Sequence, residues 1–216
     1  MSHALIDNDV LYKITVYGAL AYFVKVEPFG ATQFSMLGAA KFMISKKVKK
    51  KPPSRGHEIT LNEFNQVLKD ISVIEPTDAE IRLAAELEHS ATQLNLELDG
   101  GESLLCAILI LRAADYIFTG DKRAVTAIST LTTECNQLLL AGKIVCLEQI
   151  FQWLIHNGDG KWIRSLVCSE LKTDMALTNC FACYSESEDL NTWNEGLNSY
   201  INNLTELAPN ALAKFG

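Results

Sequence analysis

Apolar and polar positions divide the chain into a few short apolar runs and many longer amphipathic stretches. The opening run Ala4-Leu5-Ile6 stops abruptly at Asp7-Asn8-Asp9, the pattern of a strand that delivers carboxylates at its C-terminal end. Residues 11–26 and 32–44 predict two helices. Pro52, Pro53 and Gly56 then break the helical pattern. A helix is expected again from about Thr60, where Leu61, Phe64, Val67, Leu68 and Ile71 fall at helical spacing. Thr77 or Asp78 suits the N-cap of the next helix, with Glu80 in its first turn and Ile81, Ala84, Leu87, Ala91 and Leu94 along it. Gly100-Gly101 interrupts, and an apolar helix follows over 103–114. A short strand at 116–118, a turn at Gly120 and a helix over 121–140 come next, then a strand at 143–147. From Glu148 onward the pattern is helical, with breaks at 157–160, around Asp174 and at 185–189. Strands alternating with helices predict an α/β protein on a central, mostly parallel sheet. Residues 1–150 form that unit and 151–216 an appended helical region, with no internal repeat.

Composition narrows the reading. With 216 residues, 48% of them hydrophobic, the chain can bury a full core, which excludes a disordered chain and a disulfide-stapled mini-protein. The balance of 19 basic against 26 acidic residues, net −7, excludes binding to nucleic acid through bulk positive charge. Yet Lys46, Lys47, Lys49, Lys50, Lys51 and Arg55 lie within ten positions, in a Pro-broken loop that makes a basic insert at about 45–57. The N-terminal residues carry no basic leader, and the longest apolar run, around 104–111, is too short to span a bilayer. The six cysteines are scattered, so reduced thiols and a cytoplasmic, membrane-free protein are expected.

The chemistry concentrates in acids. Asp7 and Asp9 follow the first strand, Asp121 follows the strand at 116–118, and Asp99 and Glu102 flank Gly100-Gly101 at the head of the apolar helix. In parallel α/β sheets functional side chains gather at the carboxyl ends of strands, and helix N-termini favour carboxylates. Three such groups converging on one sheet edge suit a hard cation, Mg²⁺ or Mn²⁺, which can activate water for phosphodiester cleavage. One surface aspartate alone is more often a cap or a solvated residue.

At these residues the chain resembles the PIN-like domains, nucleases of many bacterial toxin and RNA-processing proteins. Their opening hhhDxN pattern is paralleled by LIDNDVL, with Asp9 where the family has Asn, their acid-led helix GExxAI by GESLLCAI, with two more residues before Ala107-Ile108, and their TGD appears as TGDKRAV, over about residues 3–150. The resemblance implies a three-layer α/β/α fold with additional C-terminal helices and a metal held by Asp7, Glu102 and Asp121. Asp9 or Asp99 would assist, and Thr119 would hydrogen-bond a bound water or phosphate. The family's second acid falls to Glu63, Glu80, Glu86 or Glu88, with Glu88 favoured because it stands in the helix just before the acidic group. The implied function is a metal-dependent nuclease, toxin-like, acting on RNA or single-stranded DNA. Two other readings stand beside it. One is a catalytically silent PIN-like module in a larger assembly. The other is a haloacid-dehalogenase-like phosphatase, since LIDNDVL also fits hhhDxDx[TV] with Asp7 as nucleophile and Asp9 as acid/base. That phosphatase motif needs a second Asp shortly after Gly120-Asp121, and DKRAVTAIST has none.

The lysine tract is the expected phosphate-contacting arm, because an acidic metal site repels nucleic acid and needs positive charge beside it. It lacks interleaved aromatics, so no base readout is expected from it. Cys180 and Cys183, on one helix face, are expected as core thiols rather than half of a zinc site completed by Cys168 or His156. Trp153, Trp162 and Trp193 are expected to pack a core or an interface, and the C-terminal helices are where a homodimer or protein partner would dock. There is no GxGxxG, no P-loop and no Ser–His–Asp set to be argued.

Overall fold

The computed structural model describes residues 2–135, 137–185 and 189–214. Five parallel strands form one sheet: β1 (Ser2–Ile6), β2 (Ala31–Leu37), β3 (Ile71–Ile74), β4 (Tyr116–Thr119) and β5 (Ile144–Cys146), in the order β3-β2-β1-β4-β5. On one face Ala4, Ile6, Phe34, Met36 and Phe118 pack with residues of α1 (Asn8–Tyr17), α2 (Leu20–Val26), α3 (Ala40–Lys50) and α4 (His57–Val67). On the other, Leu5 and Ile117 pack with α5 (Asp78–Gln93), α6 (Gly100–Arg112) and α7 (Lys122–Glu134). The fold is the expected α/β class in three layers, with a sheet that is wholly parallel. Each large side chain buried this way contributes roughly 1.5–3 kcal/mol.

The remaining helices are α8 (Leu147–His156), α9 (Gly160–Ser169), α10 (Met175–Cys180) and α11 (Leu190–Leu207). They share the core of the sheet. Phe151, Phe181 and Trp193 lie in the same buried cluster as Tyr17 and Phe118, and the Tyr17 and Phe151 rings meet edge to face at 5.6 Å. α11 gives Trp193 and Leu197 to one face of the sheet and Leu204 to the other. Beyond it, Leu212 bridges to Ile144, with Ile144 N–H donating to Ala211 and Ala213 N–H to Ile144. The C-terminal segment thus covers the open edge of β5, which would otherwise expose unpaired backbone groups.

Several expectations are corrected. Residues 32–44 are not one helix but β2, a break, and the start of α3. β2 is an inner strand whose Phe34, Ser35 and Met36 are all buried, so its apolar density there matches a helix as well as a strand until Phe34 and Ser35 pair with Ala4 and Leu5. Residues 11–26 form two helices, because Gly18 takes the left-handed conformation (φ 77) and caps α1. Ile71 does not continue α4 but opens β3, which the sequence reading missed. Lys46–Lys50 are not in a loop: they end α3, and the Pro-containing turn starts at Lys51. The helix over 121–140 ends at Glu134, and a 3₁₀ turn follows over Leu138–Leu140. Of the break at 185–189, residues 186–188 lie outside the described residues.

The thiols also differ. Cys168 and Cys183 form a disulfide, while Cys106, Cys135, Cys146 and Cys180 are free. α10 ends at Cys180 and the chain turns at Ala182 (φ 48), so Cys180 points into the core and Cys183 does not share its face. Among the described residues no helix is long and apolar enough to cross a membrane.

Candidate functional site

The strand order reverses between β1 and β4, and at such a point the loops leaving the strands part and open a crevice at their carboxyl ends. A cleft of about 470 Å³ lies there, walled by Asp7, Asp9, Asp99, Glu102 and Asp121 together with Lys13, Lys47 and Lys122. The predicted acids therefore line one cleft, drawn from the ends of β1 and β4 and from the start of α6.

Helix-capping chemistry places Asp7, Asp99, Glu102 and Asp121. Asp7 caps α1, accepting from Asn8 N–H at 2.7 Å and Asp9 N–H at 3.3 Å. Asp99 caps α6, accepting from Gly101 and Glu102 N–H at 2.8 and 2.9 Å, and Glu102 reaches back to Asp99 N–H at 3.0 Å. Asp121 caps α7, accepting from Arg123 N–H at 2.8 Å. Thr119 is buried, and its Oγ1 accepts from Asp121 N–H at 3.2 Å, so it shapes the turn that presents Asp121. At Gly120 the backbone runs close to Asp9: a Cβ would stand 2.6 Å from Asp9 Oδ2, so alanine here would displace that carboxylate.

Charge is out of balance in the cleft. Burial pushes Asp7 up to about 6 against two backbone hydrogen bonds, and the charges of Asp9 and Asp99 add to the rise. Burial pushes Glu102 up to about 8, with Asp99, Asp121 and Asp7 adding to it. For Asp121 burial pulls upward, but hydrogen bonds and charge from Arg123 prevail and its pKa is lowered. The cations are mostly committed. Lys13 Nζ sits 2.5 Å from Asp9 and 2.8 Å from Asp174, and Lys122 Nζ 2.8 Å from Glu148. Lys47 lies over the Tyr12 ring at 3.7 Å.

A donor set of carboxylate oxygens fits a hard cation such as Mg²⁺ or Mn²⁺. Among the described residues, however, no three acidic, histidine or cysteine side chains stand close enough to hold a metal ion. Asp99 and Glu102 are turned onto the backbone of α6 and Asp121 onto Arg123, so gripping an ion requires them to release those partners.

The other candidates separate. Glu88 does not wall the cleft; it stands behind Gly100, where a Cβ would lie 3.2 Å from its Oε1. Glu80 is buried in an ion pair with Arg112, Glu63 pairs with Arg55, and Glu86 is exposed. In the basic tract, Lys47 reaches the cleft, Lys51 walls an adjoining cavity that shares Asp9, Tyr12, Lys13 and Lys47 with it, and Lys46, Lys49 and Lys50 are exposed on α3. Arg55 does not line the cleft: it folds back to donate to Thr15 O at 2.9 Å and to pair with Glu63, packed against Gly18.

Sequence reasoning missed Lys13 and Lys122, although one follows Asp9 by a helical turn and the other adjoins Asp121. It also missed a His–Ser contact. His3 Nε2 lies 2.8 Å from Ser35 Oγ, but Asp115 accepts from the backbone N–H of His3 and Ser35 is buried, so the group staples strands together. Comparison with family models, with curated proteins and with solved structures returns no match to this chain.

Proposed function

We propose that the cleft is the site of a metal-dependent nuclease of PIN-like type, acting on single-stranded RNA or DNA. The observation that carries this reading is that Asp7, Asp99, Glu102 and Asp121 line one cleft at the sheet's reversal point, with lysines on the same walls. Asp7, Glu102 and Asp121 would hold Mg²⁺ or Mn²⁺, with Asp9 and Asp99 beside them. When bound, the ion supplies positive charge against the phosphate and lowers the pKa of its water. The chain's own part is to present carboxylates from rigid helix starts and to offer Lys13, Lys47 and Lys122 to a phosphate.

The test is Mn²⁺-dependent cleavage of single-stranded RNA and DNA by the wild type, lost by at least about a hundredfold in Asp7→Asn and Asp121→Asn with folding intact. A wild type inactive on every substrate would favour the second reading, a PIN-like module that binds without cutting. Two observations favour that module: among the described residues no three ligand groups are gathered, and Arg123 already pairs with Asp121. The phosphatase reading gains no observation of its own. The cytoplasm is the compartment proposed with the nuclease reading. Four free thiols suit it and the Cys168–Cys183 bond does not, so a thiol count on the native protein decides the point.

A further inference from the structure

Two lysines on the cleft wall are each held by a carboxylate from the region after β5. Lys13 lies between Asp9 at 2.5 Å and Asp174 at 2.8 Å, with its side chain only 13% exposed. Asp174 divides its oxygens: Oδ1 accepts from Leu177 N–H at 2.9 Å and caps α10, while Oδ2 faces Lys13. Lys122 Nζ lies 2.8 Å from Glu148, a buried residue in the first turn of α8, and 4.2 Å above the ring of Tyr200 from α11. Three helices of the C-terminal region thus converge on the two ammonium groups next to the carboxylates. A free lysine side chain has many rotamers, and a fixed counter-charge removes that freedom before a ligand arrives. Without Asp174, Lys13 keeps only Asp9 and is drawn into the acidic group.

We propose that the helices following β5 complete the cleft, with Asp174 and Glu148 as positioning residues that hold Lys13 and Lys122 to receive the phosphate groups of a single-stranded nucleic acid. The inference rests on reading the cleft as one that takes a phosphate-bearing ligand; it does not require that the ligand be cut. Asp174→Asn keeps an N-cap acceptor and Glu148→Gln keeps the shape, so both remove charge with little loss of local structure.

The experiment measures binding of a fluorescent single-stranded phosphorothioate oligonucleotide to the full chain in Mg²⁺ buffer over a range of salt. Thermal unfolding of each variant and Mn²⁺-dependent cleavage are followed alongside. Lys13→Ala and Lys122→Ala are each expected to bind about tenfold more weakly and to lower the salt slope by about one. Asp174→Asn and Glu148→Gln should bind about fivefold more weakly, with a lowered slope, a raised KM and little change in kcat. In a Lys13→Ala background Asp174→Asn should add nothing, because it acts through that lysine. Glu148→Asp, which keeps the charge, should recover most of the affinity. Folded Asp174→Asn and Glu148→Gln proteins with wild-type affinity and salt slope would overturn the inference, as would a wild type that does not bind the probe. Should the wild type bind with this residue dependence yet cleave nothing, the nuclease reading falls and the positioning inference stands. Should it cleave with KM indifferent to Asp174 and Glu148, the reverse holds.

Discussion

Helices α5 and α6 begin with the same device and end in opposite charge states. In each, an N-cap side chain accepts from the third helical N–H, and the glutamate at that third position reaches back to the cap's own N–H. Thr77 pairs this way with Glu80 and Asp99 with Glu102. Yet Glu80 is held down to about 2, first by hydrogen bonds from Arg112 at 2.6 and 2.8 Å, whereas Glu102 is pushed up to about 8, first by burial and then by the charges of Asp99, Asp121 and Asp7. The capping box starts a helix in both places. The next charge in space makes one a structural clamp and leaves the other crowded by like charges.

The largest effect is expected on the satisfied side. Arg112→Ala strands a glutamate that is 2% exposed, and should lower unfolding free energy in urea by about 3 kcal/mol, with Glu80→Gln in the same chain restoring much of it. The pH dependence has a definite sign. A carboxylate held below its ordinary value stabilises the fold above the unfolded pKa and loses that contribution as pH falls through the folded one. Wild type should therefore lose stability from about pH 4 down to about 2, and Arg112→Ala should show a shallower loss. A variant within about 0.5 kcal/mol of wild type, the noise of such fits, would mean the clamp is ornamental.

On the other side the sign reverses. A glutamate raised to about 8 in the folded chain binds its proton more tightly there than when unfolded, so wild-type stability should fall as pH rises from about 4.5 to 8. Glu102→Gln keeps the capping box and removes the charge. It should be more stable than wild type by about 1–2 kcal/mol at pH 8, allowing for solvent screening of a half-buried group, and equal to it near pH 4. Urea midpoints at the two pH values check this, and a variant less stable at pH 8 would show that the crowding is relieved in solution.

What the sequence reveals here follows the range of the forces. Asp7, Thr77, Asp99, Glu102 and Asp121 were readable because a cap and the N–H groups it satisfies lie within three residues of each other. The converging acids were readable also from strands that stop at carboxylates and from the LIDNDVL, GES and TGD patterns, which are equally short in range. β2 and β3 were not readable, since a buried central strand and a four-residue edge strand declare themselves only by pairing. The roles of Arg55, Asp174 and Glu148 were hidden for the same reason. Their partners Thr15, Lys13 and Lys122 lie 40, 161 and 26 positions away by residue number, and a run of basic residues does not reveal which one folds back.

If Glu102 and its neighbours lack a cation, a divalent ion should stabilise this side of the molecule alone. Mn²⁺ at about five times its dissociation constant should add about 1 kcal/mol at pH 8, by mass action on the folded state. The gain should shrink at pH 6, where protons compete for the same oxygens, and vanish in Glu102→Gln. A gain of equal size at both pH values, or one that survives in the variant, would place the ion elsewhere.

The smallest stability effect is the sharpest separation of site from fold. The Gly120 backbone does not adopt a positive φ that excludes alanine, so Gly120→Ala strains nothing in the main chain. The new methyl meets only Asp9 Oδ2 at 2.6 Å and Lys13 Nζ at 3.3 Å, both ends of side chains that can swing away. Unfolding free energy should therefore change by less than about 1 kcal/mol. The cleft should not be spared, because displacing Asp9 loosens the lysine that it shares with Asp174. Nucleic-acid binding should weaken by about as much as in Asp174→Asn while the clamp at Glu80 and Arg112 keeps its acid transition unchanged. If Gly120→Ala instead binds as wild type does, Asp9 and Lys13 have no part in the site, and the acidic side of the comparison reduces to Asp7, Asp99, Glu102 and Asp121.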